Sequence, residues 1–478
     1  MKPIKTSVIT RLVALLFGAA LFGLATQSTL AAPTAAGSTI SNTATLEYKV
    51  GGVDQNSIDS SPTGNSGANT CTTTACVGTG TGLATAFLVD YKVDVLVLGG
   101  TFTNPTSGEA AGTNTATPGA YVTFTVQNLS NAPTDFQLTA TDIAATVAVG
   151  AALGNKYPSV GQPINDTFDS TGLALFQEAG GAGLGAGDTA LLGAGNKISL
   201  AAAGSAGDTA TIYVASAIPL GTLDGAVSII ELAAQAHWQS SLPVWAPSAA
   251  ANGNVAAVAG GTIVATAGGT PNNAGTTVDI VFADATDAYN TASDGIDIAY
   301  DAYLVQSAAL SVTKTVALLC DPVNGPTNPK NIPGAAVQYA ITITNTGSTA
   351  ATLGQISDAL SASVTWDGNL ISGAGTPAEC VTTNAATQLA PGSGFGAIYG
   401  TIPLATPLPK TYTTYAAPGL TAQRVTAGAA GGATVVVTFG SLTAFTPLGW
   451  ASIGVLPGAV AGTNMGSFIT VYYNAFVQ

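Results

Sequence analysis

The stretch VDIVFADATDAYNTASDGIDIAYDAY, residues 278 to 303, carries Asp279, Asp284, Asp287, Asp294, Asp297 and Asp301 and no Lys or Arg. Carboxylates crowded in this way repel one another unless water or a cation screens them. Calcium is the natural cation, because it takes several hard oxygen ligands on flexible loops. The spacing is not that of an EF-hand, which needs acids at alternate positions, then Gly, then a distant Glu. Period-two alternation puts Ile296, Ile298 and Tyr300 on the inner face of a strand, so Asp297 and Asp301 are expected to point outward. Asp284, Asp287 and Asp294 are then the three that share a loop and could hold calcium. The competing reading is a solvated acidic edge that discourages strand pairing. No other cofactor is expected.

Lys314 is the second residue with chemical potential. In LSVTKTVALL it alternates with Leu310, Val312 and Val316, and that face is expected to be buried. A buried Lys needs a partner or a shifted pKa. An isopeptide bond to Asn474, assisted by Asp358, would supply one. The alternative is a Lys that snorkels at the sheet edge. Intact mass separates the two, since the cross-link releases one ammonia.

Other catalytic constellations are thin. His237 is the only histidine, so a Ser–His–acid or Cys–His site would have to use it. It sits in AQAHWQSSLPVW beside Trp238 and near Trp245, where a structural or surface His is the ordinary reading. GAGLGAGDTA matches GxGxxA at Gly185, Gly187 and Ala190. No βαβ context surrounds it, so it reads as a loop rather than a nucleotide site. Acid pairs that could hydrolyse glycosides are present, but no aromatic-rich segment singles one out. Cys71, Cys76, Cys320 and Cys380 are even in number and favour disulfides. The close pairings are Cys71–Cys76 and Cys320–Cys380, among three possible connectivities. A shared zinc site would lack a CxxC pair or a His ligand.

The elements that must position these residues are strands. TATLEYKV puts Ala44, Leu46, Tyr48 and Val50 on one face; VQYAITI does the same with Val337, Tyr339, Ile341 and Ile343. Gly, Pro, Asn and Ser punctuate them at short intervals. The best helix candidate is the short SIIELAAQAHW, residues 228 to 238. Charged residues make up 8% against about a quarter in ordinary domains, yet 47% are apolar, so packed cores rather than disorder are expected.

The N-terminus has the layout of a secretory signal peptide: Lys2, Lys5 and Arg11, an apolar run from Leu12 to Ala25, then small residues. Pro33 disfavours cleavage directly before it, which places the cut after Ala31. Eight basic and 25 acidic side chains then remain, a net charge of −17. Such a chain is repelled by nucleic acid and by anionic lipid. After the leader no apolar run is long enough for a helical membrane span. An outer-membrane barrel is disfavoured by the Gly/Ala-rich stretches and the final Gln478.

The chain also repeats itself. Aligning Pro118 with Pro333 sets Val122, Phe124 and Val126 on Val337, Tyr339 and Ile341, and Asn128 on Asn345 after a two-residue gap. A further strand precedes each copy, YKVDVLVLGG from Tyr91 and LSVTKTVALL from Leu310, and Val95 falls at the place of Lys314. LSVTKTV, IPGAAVQYAITITNTGSTAAT and ISDAL together resemble the bacterial surface repeat known as domain of unknown function eleven. The match is clearest over residues 307 to 360, and the segment from GSTISNTATLEYKV to FLVDYKVDVLV is similar to the opening of exported proteins that carry that repeat. The resemblance implies immunoglobulin-like β-sandwiches on an exported envelope protein and no shared catalytic residues.

The expected organisation is therefore all-β: a signal peptide over 1–31, a β segment packing on the first sandwich over 32–86, a first sandwich over 87–306 with Gly/Ala-rich insertions, and a second over 307–478. The expected role is a non-catalytic, structural or adhesive protein of the cell envelope or exterior. It would bind cell-surface components or copies of itself. A soluble carbohydrate- or small-ligand-binding protein, with an aromatic-lined pocket near Trp238 and Trp245, is the alternative. An acid-only hydrolase is the third.

Overall fold

The computed structural model describes residues 33–67, 82–100, 102–115, 119–143, 166–191, 195–248, 254–266, 277–284, 293–367, 395–401, 413–415, 420–426, 433–439, 455–459 and 466–478. Among these residues there is no helix, and nearly every strand pairing is antiparallel. The leader, Asp287, Cys71, Cys76 and Cys380 lie outside the described residues.

The chain opens with short strands: β1 (Thr39–Asn42), β2 (Thr45–Leu46), β3 (Lys49–Val50), β4 (Val53–Asp54), β5 (Ile58–Asp59) and β6 (Thr85–Leu88). β3 pairs β4 and β2 pairs β5, so residues 44 to 60 fold back as a two-stranded ribbon, while β1 pairs β6. The tip is Gly51-Gly52 at φ 59° and 83°. A tight hairpin turn needs positive φ at both positions, which Gly adopts without a steric penalty. The segment is anchored beside the ribbon. Ala36 enters the main core and donates its N–H to the Asn131 carbonyl at 3.1 Å. The Trp245 ring covers Gly37, where a Cβ would collide with it. Residues 39 to 56 are exposed throughout, so the expected packing of this segment is confined to its anchor.

The first region holds β7 (Tyr91–Val93), β8 (Val95–Gly99), β9 (Tyr121–Asn128), β10 (Thr134–Asp142), β11 (Thr171–Gln177), β12 (Thr189–Leu191), β13 (Lys197–Leu200), β14 (Thr209–Ala217), β15 (Val227–His237), β16 (Ile280–Phe282) and β17 (Ile296–Leu304). A five-stranded sheet, β12-β11-β14-β9-β8, faces a four-stranded one, β13-β10-β15-β17. Val97, Phe124, Phe136, Ile212 and Leu232, all at most 1% exposed, share one core between them. This is a β-sandwich. Each such side chain contributes roughly 1.5–3 kcal/mol by burial.

The segment expected to be helical is β15. It pairs β10 on one side and β17 on the other, and both its faces are buried. Ile230, Leu232 and Ala234 enter the main core; Val227 and Ile229 pack behind the sheet with Tyr300 and Ala302. Two flanking strands and two covered faces override weak local helix propensity.

The second region holds β18 (Leu310–Cys320), β19 (Ala336–Asn345), β20 (Ala351–Thr352), β21 (Gln355–Ala359), β22 (Val364–Asp367), β23 (Phe395–Thr401), β24 (Thr413–Tyr415), β25 (Leu420–Thr426), β26 (Ala433–Phe439), β27 (Val455–Leu456) and β28 (Ser467–Val477). Its large sheet runs β18-β19-β28-β23-β24, with β22 also on β28; β21-β26-β25 and β20-β27 form the others. Leaving β22 aside, both large sheets have the same order: fourth, third, fifth, second, first strand in chain order.

The repeated Asn fixes the correspondence between them. Asn128 and Asn345 are both fully buried. Asn128 Oδ1 accepts the N–H of Ser130, and its Nδ2 donates to the Ala132 and Ala201 carbonyls. Asn345 Oδ1 accepts from Gly347, and its Nδ2 donates to Thr349 and Leu456. The offsets of two and four residues are the same. Val95 lies opposite Asn128, and Leu310 opposite Asn345. The counterpart of Lys314, which lies opposite Ile341, is therefore Gly99, opposite Phe124, and not Val95.

Candidate functional site

The carboxylates are mostly occupied by the chain's own backbone. Asp284 is 3% exposed; its two oxygens accept the N–H groups of Asp294 and Gly295, both at 3.1 Å. Asp294 Oδ1 accepts from Ile296 at 2.9 Å. Asp284 and Asp294, two of the three residues expected to hold calcium, thus tie down the turn into β17. Asp188 does the same for the Gly-rich GxGxxA loop, accepting from Ala179, Gly180 and Gly185 at 2.9–3.2 Å. Burial works to raise its pKa, but these three N–H groups bring it below the ordinary carboxylate value. The anion that this glycine loop holds is its own side chain. Beside Cys320, Asp321 accepts from Val323, Asn324 and Lys330 at 2.6–2.7 Å. Against the opposing effect of burial, these bonds hold its pKa down to about 2.

Asp297 and Asp301 reverse the expected facing of β17. They are 3% and 0% exposed and point between the sheets, with Ala299 and Tyr303. Asp297 Oδ2 accepts the Val97 N–H of the edge strand β8 at 2.7 Å. Asp301 Oδ2 accepts the Thr123 N–H at 3.2 Å, and Oδ1 that of Ala302 at 2.8 Å. Burial outweighs these bonds and pushes the Asp301 pKa up to about 7. Alternation misassigned the two because both faces of β17 are covered, so an apolar outer face was available for Ile298 and Tyr300. Two Asp on a strand of Ala and Tyr, far from any Lys or Arg, were the available signal.

Among the described residues, the acids that meet are Asp142, Asp166 and Asp169, with one oxygen of each within 4.8 Å of the others. Asp142 Oδ2 accepts from Ser170 N, Ser170 Oγ and Ser228 Oγ. Asp166 accepts from Phe168 and Ile229. Burial, reinforced by the charges of Asp142 and Asp169, pushes Asp166 up to about 6. The Asp142 carboxyl is raised too, by burial first and by Asp169. The cluster can hold a proton near neutral pH.

His237 belongs to a row that crosses three strands: Ser199, Asp135, His237. Ser199 Oγ donates to Asp135 at 2.6 Å, so the acid and not the imidazole receives the hydroxyl. His237 Nδ1 lies 3.1 Å from the Gly260 carbonyl, to which it donates, and Nε2 lies 3.5 Å from Thr262 Oγ1. Burial lowers the pKa of this ring. A Ser nucleophile needs the imidazole as its immediate base, and this order does not provide it. Trp238, Trp245 and Tyr91 meet in tilted and edge-on contacts with ring centroids 5.2–6.0 Å apart. They pack against the main core.

The Lys314 face departs furthest from expectation. The Lys314 side chain is 41% exposed, pairs with Asp358 Oδ2 at 2.7 Å and lies over the Tyr339 ring at 4.5 Å. This is the snorkelling arrangement. Asn474 lies opposite Gln338, three residues along from Val471, the residue in the Lys314 row. The register brings Lys314 to Asp358 and not to Asn474. Its neighbours on the same face, Leu310, Val312 and Val316, are 49%, 64% and 59% exposed. Their counterparts on β8, Val95 and Val97, are 3% and 0% exposed. Cys320 at the end of β18 is buried and disulfide-bonded.

No family model matches the chain, and no curated protein is similar to it. Among the described residues no helix is long and apolar enough to cross a membrane.

Proposed function

We propose that this is a non-catalytic, exported protein of the cell envelope or exterior, with a structural or adhesive role, built from tandem immunoglobulin-like sandwiches behind a cleaved leader. The observation that carries the reading is the open apolar face of β18. Exposed apolar side chains gathered on one strand face suit an interaction surface. The polar side chains support the same reading: Asp188, Asp284, Asp297 and Asp321 serve the backbone. The Cys320 disulfide, for which Cys380 is the proposed partner, fits an oxidising compartment.

Fractionation of cells and medium tests this. The expected result is protein in the envelope or medium, extractable without detergent and beginning at Ala32 within a residue or two. Intracellular protein that retains Met1 would overturn it.

A hydrolase that uses carboxylates alone is the second reading. It is favoured by the meeting of Asp142, Asp166 and Asp169 and by the raised pKa of Asp166. Turnover of a glycan that Asp166→Asn abolishes without loss of fold would replace the first reading by this one.

A further inference from the structure

The first region shows what an uncovered face of this kind normally meets. β15 and β17 lie across β8, and the Asp297 carboxylate takes the β8 edge amide of Val97. In the second region β21 lies on the Lys314 side of β18, joined to it by the Lys314–Asp358 pair. β21 pairs β26 along one edge, and no strand among the described residues pairs its other edge. Among the described residues, what β15 and β17 supply to the first region has no counterpart beside β21. In the first region that place is taken by two antiparallel strands whose inner face covers β8.

A two-stranded element of that description stands at the other end of the same chain. In the ribbon, Leu46 lies opposite Ile58 and Val50 opposite Val53, so these four and Tyr48 share one face. Leu46, Tyr48, Val50 and Val53 are 58%, 37%, 60% and 64% exposed. The opposite face carries Thr45, Glu47, Lys49, Asp54 and Asp59, joined by Thr45–Asp59 and Lys49–Asp54 contacts. An isolated two-stranded ribbon is marginally stable in water and gains most from a second layer.

We propose that the ribbon of one copy, residues 44 to 60, docks into the open slot beside β21 and over β18 of a second copy. The inference rests on the structural reading above and names its partner. Each copy then carries one plug and one socket. Such an interface is head-to-tail, and it builds chains rather than closed dimers unless the rotation between copies closes a ring. The occupant is a copy of this chain because plug and socket are both present on it, and because the internal repeat shows a strand pair filling the equivalent place.

Two full-length double variants test it, V50D/V53D in the plug and V312D/V316D in the socket. All four positions are exposed, so each variant should unfold like the wild type. The wild-type protein is expected to form multimers by light scattering and electron microscopy, and each variant alone to be monomeric. Mixed in equal amounts, the variants should give a dimer and nothing larger, since one intact plug meets one intact socket. A monomeric wild type would overturn the proposal. So would a plug variant that still assembles, the result expected if β18 pairs with its own copy. Failure of the mixture to dimerise would overturn it as well.

Hydrogen exchange of the unmodified protein provides a check that needs no variant. Amides of residues 44–60 and 310–317 should gain protection together as concentration rises. Protection at 310–317 that does not depend on concentration would instead assign the slot to a segment of the same chain. Monomeric protein found in the envelope would refute the plug and socket and leave the structural role standing; intracellular protein would refute that role whatever the mixture does.

Discussion

The strands β8 and β18 occupy the same place in two sheets of the same order, and they meet opposite conditions. Val97 is fully buried under β15 and β17, and its amide is taken by Asp297. Val312, its counterpart, is 64% exposed. The two large sheets thus share a strand order and a buried Asn at the end of the second strand, and differ in the layer over the first strand. Where strands lie across the first strand the sandwich is closed; where none does among the described residues, the inner face is exposed.

The strongest way to break this comparison is to remove the shared frame. Asn128→Ala and Asn345→Ala each leave several buried backbone groups without partners, at about 1 kcal/mol or more apiece. Each is expected to cost about 3 kcal/mol in denaturant unfolding, and similar losses in the two regions would confirm that the two Asn do one job. A loss below about 1 kcal/mol at either position would separate them.

Trimming the first strand sharpens the contrast. Val97→Ala should cost about 2 kcal/mol, because two buried methyl groups leave a cavity under β17. Val312→Ala should stay within about 0.5 kcal/mol, as exposed positions do. Equal costs in dilute, monomeric protein would mean that β18 is covered after all.

The covering layer also carries a carboxyl whose pKa burial raises. Asp301 has its folded-state pKa raised to about 7, above its unfolded value. Its contribution is therefore fully present below the unfolded pKa and is lost as pH rises through about 7. Stability of the first region should fall between about pH 4 and pH 7, by at most about 1.4 kcal/mol per pH unit from this group. Asp301→Asn should flatten that slope, as read from urea midpoints across the range. An unchanged slope would assign the titration elsewhere, with Asp166 the next group to test.

A small effect is also expected at Lys314. Its pair with Asp358 is partly solvent-exposed, so Lys314→Ala should cost no more than about 1 kcal/mol. Intact mass should show no loss of ammonia. A mass lower by one ammonia would mean that Lys314 is covalently linked and that the second region is closed by a bond rather than by a partner.

Much of the frame was legible in the sequence. Period-two alternation located β9 and β19, and the repeated Asn after each identified the turn that both regions share, because alternation and a buried Asn amide are local in origin. The apolar stripe of Ala44, Leu46, Tyr48 and Val50 was equally plain. Its exposure was not, since a stripe does not say what covers it. The acids show the same division. Composition determined that carboxylates would find few Lys or Arg, and hence that they would need water, a cation or N–H donors. Tertiary structure decided on N–H donors. Asp284 could be placed on a loop from the sequence, whereas the inward turn of Asp297 and Asp301 depends on the amides of Val97 and Thr123, which are about 200 and 178 residues away along the chain. The same holds for β15, whose helical appearance gave way to β10 and β17 on either side. A residue's spacing fixes which neighbours share its face. Whether that face meets solvent, a core or an unpaired edge amide depends on strands that only the folded chain brings together.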